Sequence, residues 1–107
     1  MSEVFIEEAA TGRPHQGKVL LGLQAHSDDI PLFACGTVAK LVAEGYTGYL
    51  LRATNDDMGD APGIGTPGTI GENVLGNERD NLQIARILGC ERTFELNYAI
   101  TGWQMFR

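Results

Sequence analysis

Three short strand-like runs separated by two stretches of helical spacing set the strongest limit on how this chain folds. Residues 18–24 (KVLLGLQ) form an apolar run whose length and composition predict a buried strand. Residues 46–53 (YTGYLLRA) predict a second strand, rich in strand-favouring residues, and residues 92–97 (RTFELN) a third. Between the first two, residues 31–44 (PLFACGTVAKLVAE) put Leu32, Cys35, Val38, Ala39 and Val42 on one side of a helix. Pro31 suits its first turn and Gly45 its stop. Residues 72–88 predict a second helix with Leu82, Ala85 and Leu88 on its buried side and Gly89 at its end. Thr69 with Glu72 offers a capping box there, and Asn77 with Asp80 a later start. Strand, helix, strand, helix, strand is the order of parallel strands joined by right-handed crossovers. The expected class is therefore α/β, the first βαβαβ half of a doubly wound sheet.

The sequence of 107 residues suits one small domain. Residues 1–17 are polar, hold Gly12, Pro14 and Gly17, and read as a flexible lead-in with little fixed structure; the domain is expected over 18–107. Glu3, Glu7 and Glu8 stand where a signal peptide needs positive charge, and no apolar run approaches a membrane span. Eight basic against fourteen acidic residues give a net charge of -6, with no basic run to hold nucleic acid or an anionic membrane. Cys35 and Cys90 are too far apart for a CxxC site and read as buried thiols, which suits a cytoplasmic setting.

The residues that bear on chemistry follow the first strand directly: Ala25-His26-Ser27-Asp28-Asp29. In open α/β sheets, ligands bind beyond the carboxyl ends of the strands. Imidazole and carboxylate both ligate zinc, and a tight turn brings His26 and Asp29 to one ion. Asp28 would then face a water at that ion and take its proton. The plainer alternative is that Asp28 or Asp29 caps the helix. Asn55, Asp56 and Asp57 end the second strand on the same rim, as sugar-hydroxyl ligands or as a solvated turn. Arg79 is either a substrate contact or an exposed helix arginine.

AHSDDI resembles the AHPDDE signature of the PIG-L/LmbE-like deacetylases. LRATNDDMGD resembles that family's second strand and following turn, and NERDNLQIARILGC its arginine-containing helix ending in Leu-Gly; the strand at residues 93–96 follows in order. The resemblance runs over about residues 18–98, and it implies a Rossmann-like three-layer fold, here only its first half. It assigns His26 and Asp29 as the first two zinc ligands and Asp28 as the general base. It further implies a hydrolase that removes the acetyl group of an N-acetylglucosamine-type amide, on a small sugar or sugar conjugate, with a metal-bound water. Ser27 stands where the family has proline, which is expected only to loosen the turn, and Ile30 where it often has glutamate. Asp80 stands about where its helix glutamate falls.

Zinc is the expected ion, although a His/carboxylate site accepts other divalent metals. Catalytic zinc normally takes three protein ligands. In the family the third is a downstream histidine, and here the only other histidine, His15, precedes the first strand, at the far end of the sheet. The tail AITGWQMFR departs from the family pattern, which suggests a shortened chain. Trp103, Met105 and Phe106 would then pack on the sheet edge or join an oligomer. The alternative function is accordingly a truncated, inactive member or interaction module lacking the third ligand. Gly63-Ile64-Gly65-Thr66-Pro67-Gly68 fits GxGxxG, but it begins well after the second strand and Pro67 removes a donor. The Gly- and Pro-rich segment 54–71 reads instead as a functional loop.

Overall fold

The computed structural model describes residues 3–55 and 70–98. Its elements are β1 (Val19–Gln24), α1 (Asp29–Phe33), α2 (Cys35–Ala43), β2 (Thr47–Thr54), α3 (Ile70–Leu88) and β3 (Arg92–Tyr98). The strands form one parallel sheet in the order β1-β2-β3. This is the α/β alternation expected from the sequence.

Both crossovers cover the same face of the sheet. Ile30 of α1, Val38 of α2, and Ala85 and Leu88 of α3 share one core with Leu50 of β2. Side chains alternate across a strand, so Gly48, Leu50, Arg52 and Thr54 point into that core while their neighbours do not. On β1, Val19, Leu21 and Leu23 lie on the opposite face and are exposed. The buried strand expected at residues 18–24 is thus covered on one side only, because the described residues supply no second helical layer. At Gly22 an added Cβ would come within 2.9 Å of Ile30 Cδ1, so a bare backbone lets α1 sit directly on β1.

Two helix expectations need correction. The single helix over 31–44 is broken at Ala34, whose φ of -139° leaves the helical region. The backbone bonds Ala34 N to Ile30 O and Val38 N to Ala34 O continue around the break. The kink lets α1 follow β1 while α2 packs on β2 and α3. The second helix starts by Ile70, so Asn77 lies inside it and starts nothing; Thr69 lies outside the described residues. Its inward face is Asn81, Ala85 and Leu88, spaced i, i+4, i+7, while Leu82 is half exposed.

The cysteines also differ from expectation. Cys35 is exposed at the start of α2, and Cys90, after α3, is partly buried with its thiol pKa raised by burial. Cys35 is therefore expected to react with iodoacetamide at least about tenfold faster than Cys90. Peptide mapping after timed labelling checks this, and an equal or reversed order would contradict it.

The end of the sheet remote from the HSDD turn is closed by the segment ahead of β1. His15 N donates to Glu44 O at 2.9 Å, and the His15 ring lies 4.8 Å from that of Tyr46. Gly45 has a φ of 116°, and a Cβ there would stand 2.6 Å from Gln16 N, which glycine alone avoids. The buried Glu44 carboxylate accepts from Ala10 N at 3.0 Å and Lys40 Nζ at 2.9 Å. The Ala10 N–H first, and then Lys40, hold its pKa below the ordinary 4.5. This stabilisation is complete above the unfolded value and is lost as pH falls through the lower folded one. Denaturant midpoints between about pH 6 and 3 should fall in the wild type and less steeply in Glu44→Gln. Parallel acid limbs would remove Glu44 from the account.

Candidate metal and catalytic site

A short helix leaving a strand must satisfy its first backbone N–H groups. The chain does this without the caps expected of Asp28 or Asp29. Asp28 occupies the N-cap position of α1 but makes no side-chain cap hydrogen bond. Ile30 N donates instead to Gln24 Oε1 at 3.0 Å, so the last residue of β1 caps the helix that follows. Pro31 has no N–H to satisfy, and Leu32 N reaches Asp28 O at 2.9 Å.

Asp29 turns its carboxylate back onto the turn. Its Oδ2 accepts from Ala25 N at 3.0 Å and from His26 N at 2.9 Å. His26 Nδ1 stands 3.9 Å from the same oxygen, with the two side chains 49% and 43% exposed. The turn thus brings an imidazole nitrogen and a carboxylate together at the carboxyl end of β1, open to solvent. Asp28 is exposed beside them. Thr54, at the end of β2, fastens the turn from the other side: its N and Oγ1 both donate to Ala25 O, at 3.2 and 2.8 Å.

Beneath the turn lies a buried polar network that the sequence reading missed. Arg52 on β2 is fully buried. Its Nε donates to Glu95 Oε2 at 2.8 Å and its Nη1 to Ser27 Oγ at 2.7 Å. Asn81 of α3 donates through Nδ2 to Glu95 Oε1 at 2.7 Å and accepts from Gln24 Nε2 at 3.3 Å. Ser27, expected only to loosen the turn, is instead buried and held by a guanidinium, because a hydroxyl accepts where proline has no polar atom. A signal for this network was present. The two-residue alternation of β2 puts Arg52 on the inward face with Leu50, whereas its register opposite Glu95 is set only in the folded sheet.

The remaining candidates are dispersed or undescribed. Asn55 follows β2 directly on the expected rim, its N donating to Tyr98 O at 3.0 Å. Asp56, Asp57 and the GIGTPG segment lie outside the described residues. Arg79 and Asp80, the latter standing about where the family's helix glutamate falls, are both exposed on α3, and the neighbouring Asn81 points inward. His15 stands at the opposite end of the sheet beside Glu44. Among the described residues, no group of three or more His, Cys, Asp or Glu side chains is placed to hold one metal ion. No helix among them is long and apolar enough to cross a membrane.

Solved structures share this architecture. N,N'-diacetylchitobiose deacetylase from Pyrococcus horikoshii, solved with its inhibitor MPG, matches with a TM-score of 0.70 and 26% identity, over 78% of this chain and 30% of that one. The conserved protein TT1542 from Thermus thermophilus matches with a TM-score of 0.59 and 31% identity, over 78% and 33%. GalB, the 4-carboxy-2-hydroxymuconate hydratase from Pseudomonas putida KT2440, matches with a TM-score of 0.66 at 21% identity, over 75% and 34%, a likeness of fold alone. No protein-family model matches the sequence, and no curated protein does. The chain is part of an α/β domain of the Rossmann-like kind, and it spans about a third of the length of each structure. One of those with which it shares this fold is a deacetylase.

Proposed function

We propose that this chain carries the leading half of a zinc-dependent N-deacetylase site, acting on the acetamide of an N-acetylglucosamine-type sugar. The observation that carries the reading is the pairing of His26 Nδ1 with the Asp29 carboxylate at 3.9 Å, on a solvent-open turn at the carboxyl end of β1. Two ligands about 2 Å from one tetrahedral ion lie roughly 3.4 Å apart, so a small adjustment of the exposed His26 ring suits both to zinc. The resemblance of AHSDDI to the deacetylase signature and the fold shared with a chitobiose deacetylase support the same reading.

His26 and Asp29 would hold the ion. When bound, zinc supplies a Lewis acid that polarises an amide carbonyl and makes water a better nucleophile. Asp28, exposed and without a capping role, is the base that takes the proton of the attacking water and passes it to the departing amine. The products are acetate and a free sugar amine. Asn55, with Asp56 and Asp57, belongs to the sugar side of the site in this reading, and Arg79 is a further candidate contact. The third ligand of the family pattern has no counterpart among the two histidines of this sequence.

With imidazole in the buffer to stand in for the third ligand, the zinc-loaded chain incubated with an N-acetylglucosamine disaccharide is expected to release acetate above a chelated control. Asp28→Ala should lower that rate by about 100-fold or more while zinc affinity stays within a few-fold. No acetate, or release indifferent to chelator and to Asp28, would sink the proposal.

A further inference from the structure

Arg52 is the fully buried charge of the described core, and the reaction outlined above gives it no task. Burying a guanidinium is costly, and a pair of this kind is often no more stabilising than apolar side chains of the same volume. Its value then lies in where it points things. Glu95, opposite it on β3, fixes Nε, while Nη1 reaches Ser27, the residue between His26 and Asp28. Nη2 is buried without a hydrogen-bond partner among the described residues, so the bonds to Glu95 and Ser27 set the orientation of the group there. Glu95 is held in turn by Asn81, and Asn81 by Gln24, whose Oε1 caps α1. The network begins inside the HSDD turn, at Ser27, and ends on its two flanks, at Gln24 and Ile30.

We propose that Arg52 is a positioning residue, which through Ser27 holds the backbone between His26 and Asp28 in the attitude that presents His26 and Asp29 to one metal ion. This rests on the reading of those two residues as ligands. The coupling runs through the Ser27 hydroxyl. An acceptor at that position therefore matters to the site more than to the core, and an arginine at 52 does what a shorter, non-planar lysine does not.

The test uses the full chain with Ser27→Ala, Ser27→Thr and Arg52→Lys, substitutions mild enough to keep the fold. Two quantities are read: zinc affinity by titration, and amide hydrogen exchange of residues 25–29 in metal-free protein. Ser27→Ala and Arg52→Lys should weaken zinc binding by about 10- to 100-fold and speed exchange in the turn, while exchange in β2 and α3 stays near wild type. Ser27→Thr, which keeps the hydroxyl, should restore both. A thermal midpoint lowered in all variants with zinc affinity and turn exchange unchanged would overturn the proposal, as would a threonine no better than alanine. If the wild type binds no zinc, the metal reading fails separately, and exchange of the turn amides alone decides whether Arg52 positions the turn.

Discussion

Glu95→Ala is expected to destabilise the chain by about 3–5 kcal/mol, because it strands the Arg52 charge in the core. Arg52 is fully buried and Glu95 only slightly exposed, and the Nε–Oε2 bond of 2.8 Å is the one carboxylate contact of the guanidinium among the described residues. The same change removes the acceptor of Asn81 Nδ2. A loss of this size is a large part of the roughly 5–15 kcal/mol that holds a small domain together, so the variant should unfold at a much lower denaturant concentration than the wild type. Removing both partners is a different case. Glu95→Leu combined with Arg52→Met leaves no buried charge and should recover most of the lost stability. Denaturant melts of Glu95→Leu, Arg52→Met and the double variant measure the coupling. A Glu95→Ala cost below about 1 kcal/mol would mean that water reaches Arg52, and the positioning role would lose its basis.

The second large effect is at Asp29. Its Oδ2 does two things at once: it stands beside His26 Nδ1, and it holds the backbone N–H groups of Ala25 and His26. Asp29→Ala should therefore lower zinc affinity by about 100-fold or more and also cost about 1–2 kcal/mol, the usual consequence of removing a carboxylate that accepts from backbone N–H groups. Asp28→Ala should do neither, since Asp28 makes no cap hydrogen bond in α1. Thermal midpoints and zinc titrations on both variants separate the two acids. If Asp28→Ala behaves like Asp29→Ala, the division of labour between base and ligand is wrong.

The parallel βαβαβ order was legible because apolar runs of strand length alternate with helical spacing, and local pattern alone fixes that order. The covered face was not legible. KVLLGLQ is apolar throughout, and nothing local says that helices cover only the side bearing Leu20 and Gly22. The break at Ala34 was hidden too, since it arises from α1 and α2 following different partners. At the site, the placement of His26 and Asp29 on one turn followed from their position after a strand, and the structure brings them together. Ser27, Arg52, Asn81 and Glu95 come from four elements or turns far apart in the chain, so their meeting depends on tertiary packing. Even so, the spacing of Asn81, Ala85 and Leu88 holds the correct helix face, one residue away from the one expected through Leu82.

The most direct test of the central claim is zinc-edge X-ray absorption on the full chain loaded with one equivalent of zinc. The account predicts a nitrogen and oxygen shell at about 2.0–2.2 Å with one imidazole contribution, which disappears in His26→Ala. A sulfur shell at about 2.3 Å, from Cys35 or Cys90, or a spectrum unchanged in His26→Ala, would place the metal elsewhere and contradict it.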